Sequence, residues 1–260
     1  MKKILIAAAT LAAFGTTSYA ADLPPARMPV KVEAPIPVAT WTGCYIGLNA
    51  GGVWGRMKDD WTPNSLYDPP NAADLRAEGS ATLNGSGFTG GGQLGCSWQM
   101  NAFVLGAEAD IQYTGLDKSR DAIFPPAGIR DHKQYHENFH SKWLATFRGR
   151  LGWLVNPSVL IYGTGGLAVA NVGVTDAEAL VEVPENSITS GSKTRTGWTA
   201  GGGLEWMFAP RWSFKVEYLY VDLGSFHTTS LLNVDPTFQI VHNHHLTEQI
   251  ARLGVNYKIY

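Results

Sequence analysis

The stretch FTGGGQLGCSWQMNAFVLGAEADIQY, residues 88–113, holds two period-two runs joined by four residues. Phe88, Gly90, Gly92, Leu94, Cys96 and Trp98 alternate with Thr89, Gly91, Gln93, Gly95 and Ser97. After Gln99 to Ala102, the positions Phe103, Leu105, Ala107, Ala109, Ile111 and Tyr113 alternate with Gly106, Glu108, Asp110 and Gln112. Strict alternation means a strand with one apolar and one wet face, and the short connector makes the two strands a hairpin. Aromatic residues mark both ends of each apolar face, Phe88 with Trp98 and Phe103 with Tyr113, each pair ten residues apart. Ten residues rise about 33 Å, which projects to about 23 Å for a strand tilted about 45°. An outer-membrane barrel carries an apolar band about 25 Å tall with an aromatic girdle at each edge.

The pattern repeats outward along the chain. A fourth run sets Trp143, Ala145, Phe147, Leu151 and Trp153 against Thr146, Arg148 and Arg150; a sixth sets Trp198, Ala200, Leu204, Trp206 and Phe208 against Thr199 and Glu205. A seventh sets Trp212, Phe214, Val216, Tyr218 and Tyr220 against Ser213, Lys215 and Glu217; an eighth sets Ala251, Leu253, Val255, Tyr257 and Ile259 against Arg252, Asn256 and Lys258. The first strand, near 43–55, and the fifth, near 158–172, alternate less cleanly. Short connectors at Gln99–Ala102, Asn156-Pro157 and Ala209-Pro210-Arg211 alternate with long ones near 56–82, 117–140, 173–194 and 224–246. That rhythm predicts an all-β fold: a transmembrane up-and-down antiparallel barrel of eight strands, with short periplasmic turns and long extracellular loops. Trp98, Phe103, Trp153, Phe208 and Trp212 sit by the short turns, whereas Phe88, Tyr113, Trp143, Trp198 and Tyr220 lie toward the long loops. Two such rings suit two membrane interfaces better than the core of a soluble sandwich.

If the apolar face meets lipid, the other face lines the lumen, which eight strands leave just wide enough for side chains to fill. Glu108, Asp110, Arg148, Arg150, Glu205, Lys215, Glu217 and Arg252, with Lys258 near the chain end, then point inward. Charges of both signs predict a salt-bridged plug rather than an ion path. Cys44 begins the first strand and Cys96 ends the second at the same height and on the same side, so a disulfide and two free lipid-facing thiols both remain open.

Lys2 and Lys3, an apolar run from Ile4 to Phe14 and the small residues Ser18 and Ala20 read as a signal peptide over 1–20. Five prolines between 21 and 40 predict an extended periplasmic tail, leaving 41–260 as the barrel. The formal charge of −2 argues against nucleic acid as a partner. There is no phosphate loop, HExxH or G-x-S-x-G element, so no enzyme is predicted. His132, His136 and His140 recur every four residues, and His242, His244 and His245 cluster in the last long connector. If the first set were helical, its imidazoles would share a face that could hold haem or a divalent metal. No cofactor is required by any other feature.

Several segments resemble a known family: Trp41-Thr42-Gly43-Cys44-Tyr45-Ile46-Gly47, FVLGAEADIQ at 103–112, Arg148-Gly149-Arg150-Leu151-Gly152, VEYLYVDLG at 216–224 and Arg252 to Lys258, with Ala21-Asp22-Leu23-Pro24 before them. Together they are similar to the small porin-like outer-membrane proteins of alphaproteobacteria, surface antigens related to the eight-stranded OmpA-type barrel. The resemblance implies a Gram-negative cell outer membrane, contact with its lipid and lipopolysaccharide, and delivery by the barrel-assembly machinery. Arg252, Gly254, Tyr257 and Ile259 match the assembly signal of such proteins, although the chain ends one residue beyond the usual terminal aromatic. Cys44 and Cys96 depart from the family pattern. The expected function is a structural, surface-exposed protein contributing to envelope integrity, with limited porin-like solute passage as an extension. The rival is a surface protein that binds haem or a divalent metal through loop histidines. Oligomeric state is left open.

Overall fold

A computed structural model of the chain describes residues 40–124, 133–180, 186–231, 237 and 239–259. The stretches expected to be a signal peptide and a proline-rich tail lie, up to residue 39, outside these residues. Eight strands follow one another: β1 (Gly43–Pro63), β2 (Ala81–Met100), β3 (Phe103–Phe124), β4 (Lys133–Asn156), β5 (Val159–Leu180), β6 (Asn186–Ala209), β7 (Trp212–Leu231) and β8 (Gln239–Lys258). Each pairs antiparallel with the next, and β1 pairs with β8, closing the barrel. The fold is the eight-stranded up-and-down barrel that the alternation predicts.

Two-residue turns join β2 to β3, β4 to β5 and β6 to β7. Asn101 takes a left-handed φ of 54° in the first, which its short side chain tolerates. In the second, the Asn156 side chain accepts a hydrogen bond from the Ser158 amide at 2.9 Å.

The opposite ends need a correction. The segments expected as long loops are largely strand: β1 continues to Pro63, β3 and β4 pair out to Phe124 and Lys133, β5 and β6 out to Ala179 and Asn186, and β7 and β8 out to Leu231 and Gln239. The first connection also holds a helix, α1 (Pro69–Gly79), with proline in its first turn, where a missing amide costs no hydrogen bond.

Along every strand the apolar face of the lower half points out. Leu48, Phe88, Leu94, Ile111, Tyr113, Phe147, Leu151, Leu167 and Trp198 are exposed. Aromatics meet across strands at matched height: Phe103 opposite Trp153, Tyr113 opposite Trp143, Trp212 opposite Tyr257 with rings 4.9 Å apart, and Trp198 against Tyr220 at 5.5 Å.

Above the upper aromatic ring the polarity reverses. On β1, Arg56 and Lys58 are exposed while Val53, Met57, Asp59 and Trp61 are buried. Register shifts between Ser141 and Trp143 on β4 and between Asp222 and Ser225 on β7 rephase those strands. Phe139 and Phe226 are thereby buried inside, with Met57, Leu83, Leu116, Leu144, Leu219, Leu246 and Ile250 in one apolar core. The lower half is built to sit in lipid, and the upper half is built like a water-soluble barrel with an apolar interior.

Candidate functional site

The lumen of the lower half is packed with ionic side chains. Carboxylates Glu108, Asp110, Glu205 and Glu217 face cations Arg148, Arg150, Lys215 and Arg252, all buried. Arg148 is central: its Nη2 lies 2.5 Å from Glu108 and 2.7 Å from Asp110, and its Nη1 lies 3.1 Å from Glu217. Arg252 crosses from β8, donating from Nε to Glu217 at 2.8 Å and from Nη1 to Asp110 at 3.1 Å and Gln112 at 2.8 Å. Lys215 donates to Glu108 at 2.8 Å, and Arg150 to Glu205 at 2.6 Å. Four positive groups thus meet four negative ones, and multiple hydrogen bonds offset the desolvation that burial imposes on each.

Two tyrosines that the alternation did not single out complete this network. The Tyr45 hydroxyl accepts from Arg150 and donates to Glu108, both at 2.6 Å. The Tyr162 hydroxyl donates to Glu217 at 2.9 Å, and the Arg150 guanidinium stacks 3.9 Å over its ring. Gly95 and Gly203 leave room for these rings. A Cβ on Gly95 would come within 2.5 Å of the Tyr45 oxygen, and one on Gly203 within 2.8 Å of the Tyr162 oxygen. Gly95 on β2 and Gly203 on β6 are therefore clearance inside a crowded lumen. Lys258 stays outside the network, donating to the Thr40 carbonyl at the periplasmic rim at 2.7 Å.

Apolar tiers lie on either side. Below, Trp41, Val104, Leu160 and Met207 cluster at the periplasmic end; above, the apolar core just described fills the interior. Glu248 is fully buried, between Leu246 and Ile250 of the upper core along β8.

The histidines separate. His132 lies outside the described residues. His136 and His140 stand on β4, so the helical arrangement on which a shared imidazole face depended is not formed there; the segment pairs instead with β3 and β5. His140 is half-buried, with Nδ1 3.4 Å from the Asn138 side chain. His245 turns outward to Ser225 at 3.0 Å. His242 and His244 point inward and are buried beside Asp59, which stands opposite His244 in the β1–β8 register. Asp59 oxygens lie 3.5 Å from His242 Nδ1 and 3.4 Å from His244 Nδ1, and Trp61 Nε1 donates to the same carboxylate at 2.7 Å. Burial pushes the His244 imidazole down to about 4, against the opposing pull of Asp59, so at neutral pH it is uncharged. Asp59 was not singled out from the sequence, because His242, which it meets across the β1–β8 seam, lies 183 residues away.

Cys44 and Cys96 stand directly opposite each other on the outer face, with Cα atoms 4.0 Å apart, and are joined as a disulfide. Near the chain end, Arg252 is part of the lumen network while Ile259 is exposed, its amide donating to the Cys44 carbonyl at 2.9 Å.

The family model for the outer membrane protein beta-barrel domain matches residues 6–258. A 31 kDa outer-membrane immunogenic protein of Brucella melitensis is 35% identical, covering 98% of this chain and 99% of its own length. A 25 kDa outer-membrane immunogenic protein of Brucella abortus is 29% identical over 99% of this chain and 98% of itself. A 22 kDa outer membrane protein of Rhizobium leguminosarum is 30% identical over 74% of this chain and 70% of itself.

Proposed function

Because the chain belongs to the outer membrane protein β-barrel family, a surface component of the Gram-negative outer membrane, we propose that it serves there as a closed structural barrel contributing to envelope integrity. The observation that carries this reading is the filled lumen. A slab of neutralised ion pairs spans the barrel from β3 and β4 to β7 and β8, and the apolar core above it would have to be hydrated before any polar solute could enter. Limited porin-like passage is therefore set aside in favour of a sealed interior. Catalysis finds no support in the network either: Glu108, Asp110, Glu205 and Glu217 each accept from arginine or lysine, which leaves none of them poised as a base. Loop histidines converging on haem are not favoured, since His140 and His245 do not face the lumen where His242 and His244 lie.

The partners follow from the surfaces. The exposed aromatic and aliphatic band meets lipid and lipopolysaccharide, and Arg252, Gly254, Tyr257 and Ile259 present the terminal strand to the barrel-assembly machinery. The test is electrical. Purified barrel reconstituted into planar bilayers should add no stable conductance steps above the protein-free membrane. Reproducible open-channel steps from monomeric protein would overturn the closed-barrel reading.

A further inference from the structure

We propose that Asp59, His242 and His244 form a binding site for a divalent transition cation of zinc type, which ties β1 to β8 where the barrel closes. Two imidazoles and one carboxylate are a donor set of the kind that zinc and its neighbours take. The three candidate ligand atoms all lie within 4.8 Å of one another. A tetrahedral zinc with bonds of about 2.0–2.1 Å needs ligand atoms about 3.4 Å apart. His244 Nδ1 lies 3.4 Å from Asp59 Oδ1 and His242 Nδ1 3.5 Å from Oδ2, so each imidazole stands at ligand spacing from one carboxylate oxygen, and a turn of the carboxylate or of the His242 ring gathers all three donors on one ion.

A second observation points to a ligand. Asp59 Oδ1 and His244 Nδ1 are buried, face each other at 3.4 Å, and neither has a hydrogen-bond partner among the described residues. Buried polar atoms in folded proteins are nearly always satisfied, and a cation bridging this pair would satisfy both. The surroundings are ordered as outer partners of a metal site are. His244 Nε2 lies 2.9 Å from the Thr228 hydroxyl, which can take the ring proton and leave Nδ1 as the donor to metal. Trp61 holds the other carboxylate oxygen at 2.7 Å. The two imidazoles are nearly parallel, 6° apart in plane, and His244 rests against Phe226 at 4.8 Å. Arg195, stacked 4.1 Å over Phe226, opposes the cation and tempers the affinity.

Position gives the site its role. β1 and β8 are the first and last strands, and their pairing is the longest-range contact that the barrel makes. All three donors are buried, as in sites that hold structure rather than exchange substrate. The fourth position falls to water or to the second Asp59 oxygen.

The experiment uses tag-free, chelator-treated barrel refolded in detergent and titrated with Zn²⁺, and with Co²⁺ as a spectroscopic probe. The expected result is one equivalent bound, with visible Co²⁺ bands that Zn²⁺ displaces. Asp59→Asn and His244→Gln should each weaken binding at least tenfold, whereas His140→Ala and His227→Ala leave it unchanged. Should a cluster variant fail to fold, the wild type still decides: Co²⁺ should selectively broaden NMR signals around Asp59, His242 and His244. No stoichiometric binding by the folded barrel, binding that survives the cluster substitutions, or broadening centred on other histidines would overturn the proposal. A conducting barrel with an intact metal site would contradict the closed-lumen reading and leave this inference standing.

Discussion

Arg148 shows how much rests on one side chain. Its guanidinium touches Glu108, Asp110 and Glu217, and its Nε donates to the Thr146 hydroxyl at 2.9 Å. Replacing it with an apolar residue leaves four carboxylates, Glu108, Asp110, Glu205 and Glu217, to share Arg150, Lys215 and Arg252. Removing one partner from a buried ion-pair network costs about 3–5 kcal/mol. Arg148→Leu should therefore lower the unfolding free energy of the barrel in lipid vesicles by that amount, read as a lower urea midpoint at an unchanged m-value. Arg148→Lys should fall between, because a single ammonium cannot reproduce the fork that reaches two carboxylates at once. A midpoint unmoved by Arg148→Leu would mean that these charges are solvated.

At the scale of strands and hairpins, the molecule is two barrels end to end, made from the same strands. Protease added to intact cells should cut only in the connections β1–β2, β3–β4, β5–β6 and β7–β8. The two-residue turns at Asn101, Pro157 and Pro210 should resist until the outer membrane is opened. Cleavage at any of these on intact cells would invert the topology. The lower half of this design was legible from sequence, because lipid on the outside demands an unbroken apolar ladder such as Phe103 to Tyr113. The upper half was not. Water outside and core inside move the apolar residues to the other parity, so Arg56-Met57-Lys58 breaks the run that ends at Trp54 and reads as loop. The signal was present in the continued period of two, from Val53 through Met57 and Asp59 to Trp61, and only its polarity had changed. Bulges on β4 and β7 hid it further by shifting the phase before Phe139 and Phe226. The ionic network was readable as a set of inward positions, but Tyr45 and Tyr162 were not, since aromatic residues on less regular strands look like more of the lipid face. Histidines four apart satisfy a helix face and a strand face equally, so spacing alone could not choose between them. Asp59 carried no local sign of its role, which depends on β1 meeting β8.

On the scale of the whole molecule, length completes the account. Strands of 20 to 24 residues run about 65–80 Å, or about 45–55 Å along the barrel axis at a tilt of about 45°, roughly twice the height of the apolar band. About half of the barrel therefore stands clear of the membrane, presenting Arg56, Lys58 and Thr82 to water above a lipid-facing belt that includes Leu48 and Ile111. Because Cys44 and Cys96 are bridged, a cysteine introduced elsewhere is the only thiol. Single substitutions Lys58→Cys, Thr82→Cys, Leu48→Cys and Ile111→Cys can then be challenged on intact cells with a membrane-impermeant maleimide. This placement in the membrane requires the first two to label readily and the last two to react only after the protein is unfolded. Labelling of Leu48→Cys or Ile111→Cys as fast as Lys58→Cys would contradict it.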